Sequence, residues 1–372
     1  MHPKFLDILC CPETGESLVL REARYDRHGM VRAGMLASAS GRCYPIVRGV
    51  PRFVSAEHYA GSFGFEWTRW PRVQFEDQNT GRPMAGHTTR MWERITGIAG
   101  DQPAEIAGKT VVDFGCGPGR FLDVVRRKGG VAVGIDLSVA VDAARRNFRD
   151  DTDVLIVQGD LAKPPFKPGV FDGGFTIGVL HHTPSPQAGL AAMARTLKPK
   201  AWAACCVYPR GDFYDFPSVA RFRRLHHLLK PLVGYRFAMG WSYVAAHVIA
   251  PMLTAARRAG WRKTTDYIEQ HILVALRLKD VRWRILDVFD AITPDMASTH
   301  TSQEVLQWMK AAGLGVAAVT PWCPTSVAGV RTASSGFLSP VLGGEGCGEG
   351  PNVGRRPLSQ IEQAKSTKTV AA

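Results

Sequence analysis

Short apolar runs alternate with stretches of helical periodicity between residues 110 and 208. Thr110-Val111-Val112-Asp113-Phe114 is the first run, and residues 131–135, 154–157, 173–177 and 201–208 hold the others. Runs apolar at successive positions fit strands covered on both faces. Between the first two, Phe121, Leu122, Val124 and Val125 form one helical face, Arg126, Arg127 and Lys128 end it and Gly129 stops it. Ser138 can cap the next helix, which runs through Ala140, Ala143, Ala144 and Phe148. Strands alternating with helices predict an α/β domain with a parallel, doubly wound sheet, and right-handed crossovers put all the strand C-termini at one edge, where ligands bind.

The patterning divides the chain into four regions. Residues 1–58 form a small unit rich in turn residues. Residues 59–108 carry aromatic and charged clusters, including Phe63-Gly64-Phe65-Glu66-Trp67, and read as linker or lid helices. Residues 109–330 hold the α/β pattern, interrupted at 209–299 by a helical insertion. Residues 331–372 are rich in Gly, Ser and Lys with few large apolar side chains; they cannot bury enough surface to offset ordering, and disorder is expected.

Composition narrows the classes. The 372 residues are 45% hydrophobic and 21% charged, ordinary for a globular protein. The formal net charge of +13 favours anionic partners without choosing among them. Eight scattered cysteines, with Cys10-Cys11 and Cys205-Cys206 adjacent, do not form a disulfide framework and point to a reducing compartment. No basic segment followed by an apolar run opens the sequence, so a cytoplasmic location is expected.

The candidate chemistry lies in Asp113-Phe114-Gly115-Cys116-Gly117-Pro118-Gly119-Arg120, between the first strand and its helix. Glycines there let the backbone approach a ligand closely. Asp136 ends the second strand, seventeen residues after Gly119, and can accept hydrogen bonds from ribose hydroxyls. Asp160 ends the third, where its carboxylate can accept from an adenine amino group and the Leu161 N–H can serve a ring nitrogen. A dinucleotide fingerprint needs a small residue where Arg120 stands, which argues against a dehydrogenase.

These residues resemble motif I of the class I S-adenosylmethionine-dependent methyltransferases. Asp136 and Asp160 match the acidic residues after the second and third strands. Phe171-Asp172-Gly173-Gly174-Phe175-Thr176-Ile177-Gly178-Val179-Leu180-His181-His182 is similar to the fourth-strand motif of the ubiquinone/menaquinone-type small-molecule branch, and Leu197-Lys198-Pro199 to the helix end before the fifth strand. The family continues with two glycines there; this chain has Lys200-Ala201. The resemblance implies a seven-stranded Rossmann-like sheet and S-adenosylmethionine as cofactor. It assigns cofactor binding to Asp113, Gly115, Cys116, Gly117, Gly119, Asp136, Leu137, Asp160, Leu161 and Ile177. It resumes at residues 300–313, where Thr301 and Glu304 can form a capping box ahead of a helix burying Val305, Leu306, Met309 and Ala312. The last two strands are then expected near residues 316–320 and 326–332.

Residues 8–12 and 41–51 resemble the zinc-ribbon-like domain that activates tRNA and protein methyltransferases. That domain often holds a metal with four cysteines. Here Cys11 remains, while Thr14, Ala37 and Ser40 stand at the other positions, so a metal-free module packed on the catalytic domain is expected.

His181 and His182 follow the fourth strand and are candidates for general base or for orienting an acceptor. His300 reads as a loop hydrogen-bonder, Cys205 and Cys206 as core, Tyr208 as a pocket residue, and Trp67, Trp70 and Trp92 as packing residues. Residues 237–256 contain no Asp, Glu, Lys or Arg across twenty positions, a length that could span a bilayer. Its Gly, Ser, His and Pro residues favour a helix covering the acceptor site, and Arg221, Arg223, Arg224 and Lys230 nearby suit an anionic surface. The reading is methyl transfer in line to a small-molecule, glycan or lipid-linked acceptor, with peripheral contact at the inner membrane face and no nucleic-acid partner. A non-catalytic binding or activator protein of the same fold is the competing reading.

Overall fold

The computed structural model describes residues 1–54, 60–97 and 106–332. The stretch expected to be disordered, 331–372, lies outside these but for its first two residues.

Strands β1 (Val19–Tyr25), β2 (Val31–Ala37), β3 (Cys43–Val47) and β4 (Val50–Pro51) make a four-stranded antiparallel sheet in sequential order. Helices α1 (Gly61–Arg69) and α2 (His87–Thr96) follow. Next come β5 (Thr110–Phe114), α3 (Arg120–Arg127), β6 (Val131–Asp136), α4 (Ala140–Asn147), β7 (Val154–Gln158), β8 (Phe171–Ile177), α5 (Pro186–Thr196) and β9 (Leu197–Cys206). After an insertion come α11 (Ser302–Ala311), β10 (Leu314–Val319) and β11 (Ser326–Arg331). The large sheet has seven strands in the order β10-β11-β9-β8-β5-β6-β7. β5 to β9 pair in parallel, and β11 inserts antiparallel to both β9 and β10. This is the Rossmann-like α/β architecture implied by the sequence.

Both sheet faces are covered. Val112, Phe114, Val133 and Val157 pack with Leu190 and Met193 of α5, with Val305 and Met309 of α11, and with Phe5 and Leu9. Val111, Ala132, Ile156 and Phe175 pack with Trp92 of α2, Phe121 and Val125 of α3, and Val141 of α4. Each fully buried Val, Leu or Phe contributes about 1.5–3 kcal/mol. Thr301 and Glu304 form the expected capping box, and Trp308 joins Val305 and Met309 on the buried face. Leu306 and Ala312 are only partly buried.

Several boundaries differ from the expectations, among them the start of β8, two residues early at Phe171. β9 starts at Leu197 because the chain leaves α5 directly into the strand; its register with β8 shifts between Phe171 and Gly173, alongside Lys200, whose φ is 65°. β10 lies at Leu314–Val319, slightly ahead of the expected position. The N-cap of α4 falls on Val139; Ser138 instead accepts from Ala140 N at 3.2 Å while its N–H and hydroxyl donate to Asp136.

The N-terminal sheet packs on the large one. Arg52 donates to Gln158 Oε1 at 2.6 Å and to Asp142 at 2.7 Å, and the Phe53 N–H reaches the Gln158 carbonyl. Cys11 is fully buried with its thiol 3.1 Å from the Tyr44 hydroxyl, and Glu16 accepts from the Ser40 hydroxyl and N–H. These side chains occupy the corner where the zinc-ribbon resemblance would place ligands. Among the described residues no cluster of three or more His, Cys, Asp or Glu suits a metal ion.

The insertion holds α6 (Pro217–Val233), α7 (Arg236–Val244), α8 (Ala250–Arg258), α9 (Arg262–His271) and α10 (Val281–Ile292); a π-helical turn, Ala245–Ile249, joins α7 to α8. Phe289 of α10 is fully buried against Phe65, Trp70 and Tyr235, which ties the insertion to α1.

Candidate active site

A cavity of about 400 Å³ opens at the C-terminal edge of the parallel strands. Its sheet-side wall is the turn after β5, the ends of β6 and β8, and Leu161. The turn is held to β6 by the N–H groups of Gly115 and Cys116, both donating to the Ile135 carbonyl. Gly115 has φ 95°, and a Cβ there would overlap Val179. A Cβ on Gly117 would stand 3.2 Å from the Trp67 indole nitrogen, so the indole lies directly over the bare backbone of the turn, at the edge of the cavity that both line. The Asp136 carboxylate accepts from Gly117 N at 2.9 Å and from Ser138 N and Oγ, which fixes it at the mouth of the turn.

Gly115, Cys116, Gly117, Asp136, Leu137, Leu161 and Ile177 all line the cavity. The other nominated cofactor residues do not. Asp113 is buried beneath the turn with one carboxylate oxygen unpartnered, and burial, then repulsion from Asp136, pushes it well above the usual carboxylate range. Gly119 (φ 93°) caps α3 and packs on Phe148. Asp160 accepts from Ala162 N at 2.8 Å and shapes the turn after β7.

The two histidines separate. His181 is 1% exposed, off the cavity, between Tyr208 and His182, with both ring nitrogens unpartnered. Its place corrects the catalytic nomination: a ring sealed behind Tyr208 does not face an acceptor. His182 does line the cavity. Its Nδ1 lies 2.7 Å from the Met296 carbonyl, which can only accept, so Nδ1 carries the proton and Nε2 keeps its lone pair. Burial lowers its pKa to about 4, against the opposing Met296 bond. His182 is therefore neutral at pH 7, a hydrogen-bond acceptor and a weak base. His300 sits at the start of α11, with Nε2 2.9 Å from Ser298 Oγ, as a loop hydrogen-bonder should.

The opposite wall comes from α1 and the insertion: Phe63, Glu66 and Trp67, then Phe213, Tyr214, Leu278, Trp283, Leu286, Asp287 and Asp290. Trp67 thus faces the cavity, whereas Trp70 packs on Phe289 and Trp92 is core, as expected for those two. No residue of 237–256 lines the cavity; that stretch packs behind α10 through Ala245, Ala250 and Leu253. The cover is α10 and the 213–214 turn.

Glu66, Asp287, Asp290 and Arg120 were missed from the sequence. Burial, then Asp290 and Asp287, raises Glu66 well above the usual range. Burial and Asp290 push Asp287 up to about 7, with Arg120 opposing. Asp290 is also raised by burial, though the Tyr208 hydroxyl, 3.2 Å away, restrains it. The signal was present: Asp287 and Asp290 stand three apart, hence on one helical face, inside an otherwise apolar segment.

The sheet-side wall fits S-adenosylmethionine. Gly115 and Gly117 leave a Cβ-free cradle, Asp136 offers a carboxylate to ribose hydroxyls, and Leu137, Leu161 and Ile177 supply apolar surface for an adenine. When bound, that cofactor supplies an electrophilic methyl group.

Comparison with known proteins agrees. Residues 112–205 match the family described as Methyltransferase domain. A ubiquinone biosynthesis O-methyltransferase of Klebsiella pneumoniae is 26% identical over 180 residues, 48% of this chain and 69% of that protein. One from Thiobacillus denitrificans is 36% identical over 108 residues, 27% of this chain and 45% of that protein. Among solved structures, the complex between the Haloferax volcanii Trm112 methyltransferase activator and a methyltransferase aligns at 28% identity. It covers 39% of this chain and 63% of that one, with a TM-score of 0.31. The chain thus spans less than half of the Thiobacillus relative. By its motif residues, its sheet and the family match together, the chain carries a class I S-adenosylmethionine-dependent methyltransferase domain.

Proposed function

We propose that this protein transfers a methyl group to a small-molecule acceptor seated between the glycine turn and α10. The observation that carries this reading is one cavity with two chemically distinct walls: Cβ-free backbone and Asp136 on one side, aromatic and carboxylate side chains on the other. Such an enclosure excludes water and holds a nucleophile in line, which is most of what methyl transfer requires. His182, neutral with a free Nε2, can orient an acceptor O–H or N–H. Transfer of label from methyl-labelled S-adenosylmethionine into extract fractions of small molecules and lipids tests it. Labelled product should form with the native chain and not with Asp136→Ala. A chain that binds the cofactor yet labels nothing favours the non-catalytic reading.

A lipid-linked acceptor met at an anionic membrane face is the finer form of this proposal. α6 exposes Leu225, Leu228 (73%) and Leu232 (82%), and the α7–α8 helix exposes Val244, Val248 and Met252 (64%), stripes at helical spacing. The Arg236–Arg258 helix is 23 residues long with mean hydropathy 1.2, yet a third of its apolar window is buried in the fold. Exposed Arg221 and Arg224 precede the first stripe along α6, Arg236 and Arg258 bound the second, and Arg262 and Lys263 follow it, charges that complement anionic headgroups. Arg223 and Lys230, also nominated, are engaged with the Ala291 carbonyl and Asp295. Flotation with phosphatidylglycerol vesicles should weaken with salt and with Leu228→Glu/Leu232→Glu. Equal flotation with phosphatidylcholine alone, or none at low salt, removes the membrane arm.

A further inference from the structure

Glu66 reaches the cavity from α1, and Asp287 and Asp290 from α10; all three carboxylates act on Arg120. Glu66 is fully excluded from solvent, and neither of its carboxylate oxygens has a hydrogen-bond partner. Burial beside a single guanidinium pushes Glu66 and Asp287 toward their protonated forms, so a second cation is what would let all three ionise, and a buried carboxyl oxygen without a partner is rare in a folded protein. Beside them Tyr208 and Tyr214 stack with centroids 3.3 Å apart, and Trp283 completes an aromatic flank.

We propose that this end of the cavity is an acceptor subsite for an amine carried as its ammonium, seated among Glu66, Asp287 and Asp290 with its organic body against Tyr208, Tyr214 and Trp283. This deepens the methyltransferase reading and rests on it. An ammonium brings three donors and no lone pair, so it satisfies the orphaned Glu66 oxygens and supplies the missing charge. A hydroxyl brings one donor, turns its own lone pairs toward carboxylates and leaves the charge unbalanced. Aromatic faces add cation–π attraction. The same carboxylates also supply the step an amine needs before it can act as a nucleophile. One N–H proton passes to a carboxylate, giving a carboxylic acid, and the nitrogen keeps the electron pair of that bond. Asp287, held near neutrality by burial, suits that exchange.

Calorimetry on the full chain at pH 7 with benzylamine and benzyl alcohol, nearly identical in shape and different in charge, tests the subsite. Benzylamine should bind at least tenfold more tightly. The preference should vanish in Glu66→Gln/Asp287→Asn, whose affinity for S-adenosylhomocysteine should stay within twofold. Asp290→Asn serves as the second variant if the double one does not fold. Equal binding of the two probes, or a preference that survives both variants, overturns the proposal. So does a variant that loses affinity for S-adenosylmethionine but not for its neutral product, because the carboxylates would then serve the cofactor's charge. Each titration is run with and without S-adenosylhomocysteine. Failure of that ligand to bind the native chain sinks the methyltransferase reading, while the amine–alcohol comparison still decides the subsite.

Discussion

Lys200 shows what a departure from a family pattern costs. The resemblance expects glycine in the turn after Leu197-Lys198-Pro199, and Lys200 adopts φ 65°, a left-handed conformation that costs a residue with a Cβ about 1–2 kcal/mol. Lys200→Gly should therefore stabilise the fold by about 1 kcal/mol after the added chain entropy is offset. A melting temperature unchanged or lowered in that variant contradicts this. Asp287 makes the opposite trade at the cavity. Its folded pKa of about 7 exceeds the ordinary carboxylate value because of burial and Asp290, with Arg120 opposing. A carboxyl raised on folding contributes stability that is full below its unfolded pKa and is lost as pH climbs through the folded value. The native chain should thus lose stability between about pH 4 and pH 8 through this group, and Asp287→Asn should flatten that dependence. Parallel melting profiles for the two proteins across this window would rule it out.

The elements legible in the sequence were those whose partners lie close along the chain or whose burial is two-sided. β5 to β8 read as mainly apolar runs because helices cover both faces of the sheet. Thr301 and Glu304 announced α11 because a capping box is a contact within one turn. The helical wall of the cavity was not legible in this way. Glu66, Arg120, Asp287 and Asp290 come from three helices and meet only in the fold. The uncharged stretch 237–256 misled for the same reason: its composition could not tell a helix over the cavity from one behind α10. Phe289 joins these elements, fully buried among Phe65, Trp70 and Tyr235. Phe289→Ala should cost about 3–5 kcal/mol if the insertion folds together with α1 as one unit. Faster proteolysis confined to residues 209–299, with the global melt unchanged, would show instead that the insertion is a separately folding layer.

The whole molecule places the glycine turn and Asp136 on the sheet edge and faces them with an aromatic and carboxylate wall on added helices. The N-terminal sheet buttresses that edge through Arg52, Gln158 and Asp142, one strand away from Asp136. Its position explains how a module without a complete cysteine set still has a structural task. The central claim is that the glycine turn and Asp136 hold S-adenosylmethionine, and the most direct test is calorimetric titration of the full chain with S-adenosylhomocysteine and with NAD. Stoichiometric binding of the first and none of the second is expected. Removing the Asp136 carboxylate forfeits charge-assisted hydrogen bonds worth about 1.5–3 kcal/mol each, so Asp136→Ala should weaken binding at least tenfold while melting cooperatively. Tight NAD binding without S-adenosylhomocysteine binding, or full affinity in a folded Asp136→Ala protein, would contradict the account.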